Sequence, residues 1–175
     1  MNEISPYLSP LRNVIEAMAP GKIDEVDERV MSRLACLTIR PDARSFGALI
    51  GAKGATFKAL KVVYGVLVSE AFRFQDYEVS VEPPSSAERF RHEFKVNPSF
   101  SKDTIEELIR GLTDHLFPDG CDIRAVDMTS ELVAIELDTG QHLQEDFLET
   151  IEDALQKIFH AVGMTRGRKI KIALS

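Results

Sequence analysis

Tryptophan is absent from this chain, and its 175 residues include only two cysteines, Cys36 and Cys121. Two thiols in or beside apparent strands suit buried free cysteines better than a disulfide framework, and imply a reducing, cytoplasmic setting. No apolar run reaches the roughly 18 residues that a membrane span needs. The opening Met1-Asn-Glu-Ile-Ser-Pro6 lacks the basic start and apolar core of a secretory signal, so no membrane association is expected. His92, His115, His142 and His160 have no paired metal-ligand spacing, and neither CxxC nor HxxxH occurs. No cofactor or metal is therefore expected. Acid pairs such as Glu106-Glu107 and Glu152-Asp153 fall on polar helix faces, where carboxylates are solvated surface. With no nucleophile elbow or other catalytic spacing, the expectation is a binding protein and not an enzyme.

What is present is an ordinary globular composition, 44% hydrophobic and 28% charged, in a length that holds one large domain or two small ones. Ser9-Pro10 is placed as cap and first residue of a helix carrying Leu11, Val14, Ile15 and Met18, which Pro20-Gly21 stops. A weak strand over 22–31 and a clearer one at Leu34–Ile39 follow, then a short helix from about Arg44 to Ile50. A long helix from about Ala55 carries Phe57, Leu60, Val63, Tyr64, Leu67 and Val68, and Tyr77, Val79 and Val81 alternate with polar residues as a half-buried strand.

Between the two helices stands Gly51-Ala52-Lys53-Gly54, within the run Phe46–Leu60. Gly51 can end one helix in a left-handed conformation, and Gly54 lets a partner approach the backbone closely. The amides opening the next helix, with the helix dipole behind them, suit a phosphate, and Lys53 adds a full charge. Arg40, Arg44, Lys53, Lys58 and Lys61 face only Asp42 between positions 40 and 61, a local excess of four positive charges in a chain of net charge −7. A focused basic groove is compatible with that acidic total. The loop lacks the Gly-Lys-Ser/Thr of a nucleotide-binding P-loop, and no GxGxxG occurs. Two glycines spaced by three also make a plain tight corner.

At these residues the sequence resembles the K-homology (KH) family of single-strand RNA-binding domains. Leu49-Ile-Gly-Ala-Lys-Gly-Ala-Thr-Phe-Lys-Ala-Leu60 looks like its Ile-Gly-x-x-Gly signature and the helix that follows, and the likeness extends over about residues 5 to 83. Ala55 stands where a polar or basic residue is common, and Phe57 where a smaller aliphatic one is. The resemblance implies the bacterial, type II arrangement αββααβ, with the glycine loop clamping the RNA backbone.

Residues 85–100 are expected to be a connector, in which Phe90 and Phe94 mix with Arg89, Arg91, His92 and Lys95. Its residues either extend the binding surface or pin the linker down. The second half repeats the order of the first. Ser101 caps a helix stapled by Phe100 and Ile105; two strands follow over 121–137, a helix from about Phe147 to Val162 stopped by Gly163, and a last strand at Lys169–Leu174. The expected fold class is α+β, two tandem αββααβ units over residues 1–84 and 101–175, each a three-stranded sheet packed by helices. The second corner, Asp138-Thr-Gly-Gln-His-Leu-Gln-Glu-Asp146, has one glycine and no lysine, and residues 87–175 carry net −6 against −1 for residues 1–86.

The functional expectation is a single-stranded RNA-binding protein. Gly51, Ala52, Lys53 and Gly54 would hold the backbone, Arg40, Arg44, Lys58 and Lys61 would border the track, and Leu49 and Ile50 would floor it. The competing expectation is a protein-interaction module of the same shape, with a protein partner or a homodimer formed through the acidic second half.

Overall fold

The computed structural model describes residues 5–73, 76–84, 100–164 and 167–175. The expected connector, with Phe90, Phe94 and their basic neighbours, lies outside the described residues apart from Phe100. The chain is α+β, with five helices and two three-stranded sheets among the described residues. In the first unit α1 (Leu8–Met18) leads to β1 (Ile23–Met31), β2 (Leu34–Pro41) and α2 (Ala43–Ile50). A single 3₁₀ turn at Ala52–Gly54 joins α2 to α3 (Ala55–Phe72), and β3 (Asp76–Val81) closes the unit. The second unit is α4 (Lys102–Thr113), β4 (Cys121–Met128), β5 (Leu132–Thr139), α5 (Glu145–Val162) and β6 (Lys169–Leu174).

The two sheets have one plan. β1 runs antiparallel to β2, which runs parallel to β3; β4 is antiparallel to β5, which is parallel to β6. A parallel neighbour needs a crossover, which α2 and α3 supply in the first unit and α5 supplies alone in the second. The second unit is thus αββαβ. The short helix expected there is missing, because only five residues separate β5 from α5.

β2 shows how each sheet faces its helices. Ala35, Leu37 and Ile39 are buried, while Leu34, Cys36, Thr38 and Arg40 between them keep partial access to water. The helices on the buried faces then meet each other, α1 against α4 and α3 against α5, each helix touching its own counterpart. The sheets therefore lie outermost and the buried residues of both units form one continuous core. Being covered by its own sheet on one side and by α5 on the other, α3 buries residues nearly all round, from Ala59 and Leu60 through Val63, Tyr64, Leu67 and Val68.

Helix α1 begins earlier than the Ser9-Pro10 pair predicts. Tyr7 precedes the first helical residue with no side-chain cap, and Ser9 and Pro10 fall in the first turn, where a missing amide is still harmless. A tertiary anchor decides this boundary. The Tyr7 and Tyr64 hydroxyls donate to Glu28 Oε1 at 2.5 and 2.8 Å, and the Ser5 hydroxyl donates to Glu28 Oε2. Burial first, and then the Glu28 carboxylate, hold both phenols protonated well above their usual range. Replacing Glu28 by Ala leaves three buried hydroxyls, those of Ser5, Tyr7 and Tyr64, without their acceptor, at about 1–3 kcal/mol each. Thermal melts of Glu28→Ala should fall by roughly 5–15 °C, while Glu28→Gln, which keeps an acceptor, should lose much less. Equal losses for the two variants would show that the hydroxyl bonds are not what anchors Tyr7.

The second sheet has plugged edges. On β6 the outward amides of Ile170 and Ile172 donate to Gln156 and Glu152 of α5, and on β4 the Met128 amide donates to Glu106 of α4.

Candidate functional site

The corner between α2 and α3 is built from left-handed backbone. Gly51 has φ +72° and ψ 176°, Lys53 has φ +53° and Gly54 has φ +76°. A Cβ on Gly51 would stand 2.3 Å from Thr56 Oγ1 and 2.9 Å from the Thr56 amide nitrogen, so glycine is required by contact as well as by φ. The chain therefore turns sharply there, and Ala52 and Lys53 are left exposed at its tip.

Not every amide of the turn faces outward. Gly51 N–H donates to Gly47 O at 2.8 Å, Gly54 N–H to Gly51 O at 3.2 Å, and Ala55 N–H to Ala52 O. The expected nest of free amides is thus reduced by the turn's own 3₁₀ bonds. What the tip offers an anion is chiefly the side chain of Lys53 and the positive end of an 18-residue helix.

The expected basic track divides into two groups. Lys53, Lys58 and Lys61 are exposed, and none of them makes an ion pair with a described residue. Lys61 Nζ lies 5.9 Å from the centroid of the half-buried Phe57 ring, which places a cation and an aromatic face side by side on the first turns of α3. Arg40 and Arg44 are committed elsewhere. Arg40 sits on the outer face of the first sheet, bonded to Glu82 at 2.6 Å and to Glu25 on the neighbouring strand. Arg44 leans on Asp42 at 3.5 Å. The excess of four charges counted along the chain becomes three unpaired lysines once the sheet brings those acids across. Of the expected apolar floor, Leu49 is wholly buried in the core and Ile50 alone keeps partial access.

Asp42 has a role that sequence spacing did not reveal. Its Oδ1 accepts the Ser45 amide at 2.9 Å and the Ser45 hydroxyl at 2.7 Å, capping α2. Its Oδ2 accepts the Lys22 amide at 2.9 Å, tying the entry of β1 to the start of α2. A Cβ on Gly21 would lie 2.3 Å from that oxygen, so the glycine that stops α1 also makes room for the carboxylate. Burial alone would raise the Asp42 pKa; the Lys22 and Ser45 donors, with Arg44, outweigh it and hold the carboxyl below its ordinary value. A depressed folded pKa contributes stability above the unfolded carboxylate range, and that contribution is lost as pH falls through the folded value. Asp42→Ala should cost about 0.5–2 kcal/mol at neutral pH. The gap to wild type should narrow below about pH 4, measured by denaturant unfolding across pH. A gap that widens on acidification would contradict the capping role.

The second corner carries the opposite charge. Glu145 and Asp146 occupy the first turn of α5, where they suit the helix dipole and would repel a phosphate. A separate cleft of about 530 Å³ opens where the units meet, between the end of α3 and the turn after α4. Glu70, Asp114 and Asp119 line it against Arg73 and His115, and burial followed by Asp119 raises the Glu70 pKa. Among the described residues, no helix is long and apolar enough to cross a membrane, and no group of three or more His, Cys, Asp or Glu could hold a metal ion. No model of a known protein family matches the chain, and no curated protein matches it.

Proposed function

We propose that this chain is a cytoplasmic KH-type protein that binds single-stranded RNA at the Gly51–Gly54 corner of its first unit, with a second unit that has lost the corner. The observation that carries the reading is the exposed Lys53 at a glycine-flanked left-handed turn, continuous with unpaired Lys58 and Lys61 on the next helix. The order αββααβ and the parallel β2–β3 pair of the first unit support the same reading. Lys53 pairs with one phosphate, Lys58 and Lys61 border the next ones, and Ile50 and the Phe57 ring offer apolar surface to unstacked bases.

Two or three neutralised phosphates set the salt dependence. Fluorescence anisotropy with a pooled single-stranded RNA should show binding that weakens with a log–log salt slope of roughly −1.5 to −2. A wild-type protein that binds no RNA at low salt would overturn the reading.

The junction cleft favours a second reading, a KH-shaped module that docks a cationic protein segment. Three carboxylates at two converging helix ends attract such a partner, and the inward bonds of the Gly54 and Ala55 amides fit a corner that is only a turn. Absence of RNA binding together with capture of basic peptides would select it.

A further inference from the structure

At the far end of the second unit from its degenerate corner, a cleft of about 480 Å³ lies between the start of α4, the β4–β5 turn and the approach to β6. That volume falls within the roughly 300–1,000 Å³ of small-ligand sites. No carboxylate is among the described residues that line it, although Glu106 Oε1 stands against two of them, 3.0 Å from the Met128 amide and 3.5 Å from Lys102 Nζ. Lys102 and Arg168 do, together with Ser130 and the apolar side chains of Phe100, Ile105 and Met128.

Arg168 is held there in an unusual state. Its Nη1 leans on the Met128 sulfur at 3.2 Å, a weak acceptor, while its Nε is sealed from solvent with no hydrogen-bond partner. It is the only such buried side-chain atom among the described residues. The buried Nε is out of a ligand's reach, but a guanidinium whose Nη1 meets only a sulfur keeps terminal N–H donors for an anion with several oxygens. The start of α4 adjoins the same cleft, with Ser101 as its cap and Asp103 in its first turn, an acid that offsets part of the attraction of the dipole for an anion. The Lys102 ammonium stands on that first turn, joined to Glu106 only at 3.5 Å. Thr129 spends its hydroxyl closing the β4–β5 turn, whereas the neighbouring Ser130 hydroxyl makes no hydrogen bond with a described residue.

We propose that this cleft binds a phosphate group, with Arg168 and Lys102 as the cations and the start of α4 as the dipole behind them. The ligand class is a phosphate or phosphate ester whose organic part rests on Phe100 and Met128. The site does not depend on the RNA reading of the first corner, which uses none of these residues.

Titration of the full ¹⁵N-labelled chain with inorganic phosphate, at constant ionic strength and against chloride, tests it. Amides of Lys102 to Thr104 and of Ser130 should shift and saturate with phosphate but not with chloride. Arg168→Gln should weaken that binding about tenfold, and Lys102→Gln by less, the remaining spectrum being unchanged. If Arg168→Gln fails to fold, Lys102→Gln decides, since Lys102 is an exposed surface residue. Shifts that never saturate, that chloride reproduces, or that persist undiminished in the folded variants overturn the proposal. A short single-stranded oligoribonucleotide added afterwards identifies the source. Competition with phosphate supports the site and assigns it to an RNA backbone, and indifference supports it and assigns it to a small phosphate compound. Because the glycine-corner lysines are untouched in both variants, failure here and failure of RNA binding at the first corner are separable.

Discussion

The double substitution Ala52→Asp with Lys53→Asp is expected to weaken RNA binding by roughly 30-fold or more while leaving the fold intact. The change removes one positive charge and adds two negative ones, a swing of three units at the tip of the turn. Even in bulk water, a unit charge about 6 Å from a phosphate is worth roughly 0.7 kcal/mol, so three contribute roughly 2 kcal/mol. The fold should survive for two reasons. Ala52 and Lys53 are exposed, and aspartate tolerates the left-handed conformation that residue 53 adopts better than most side chains do. Circular dichroism and melting temperature are therefore expected to stay near wild type while anisotropy with single-stranded RNA collapses. Binding that persists with normal affinity would remove the glycine corner from the interface and turn attention to the cationic-partner reading.

The second large effect concerns the pairing of the units. A fragment of residues 1–84 keeps its sheet and its helices but uncovers the face of α1 and α3 that the second unit buries. Each large apolar side chain so exposed forfeits about 1.5–3 kcal/mol, and three or four of them reach about 5–10 kcal/mol. That is comparable to the whole stability of a small domain. α1 packs on α4 and α5, and α3 packs on α5, so the second unit covers a helical face that a second copy of the fragment could cover in its place. The fragment is therefore expected to form a homodimer through the same face, or else to lose its cooperative melt. Light scattering behind size exclusion, with a thermal scan, distinguishes these outcomes. A monomer melting within a few degrees of the full chain would mean that the unit interface contributes little.

Periodicity made most of the elements legible. The stripe of α5, the Ser101 cap of α4 and the Gly163 stop stand where spacing placed them, since each is decided by neighbours within one or two turns. Boundaries and partners that depend on distant residues were not legible. Tyr7 sets the start of α1 through Glu28, which lies 21 positions away, and Asp42 finds Lys22 at 20. Charge counted along the chain overstated the basic track, because Glu25 and Glu82 reach Arg40 only across the sheet. Leu49 sits in the signature run, yet its direction is fixed by tertiary packing, which sends it into the core. The phosphate cleft was invisible for the same reason, being assembled from α4, a turn and the lead into β6.

The stoppers on the second sheet limit how copies of this protein could grow together. With Glu106 on one amide of β4, and Glu152 and Gln156 on two of β6, a visiting backbone finds an interrupted row of donors there. Fibril-like extension would meet a less interrupted edge at the rim of the first sheet, where no helix side chain fills that role among the described residues. Severing one stopper, as in Glu152→Ala, would open a second seeding point in the half of the molecule that now resists it.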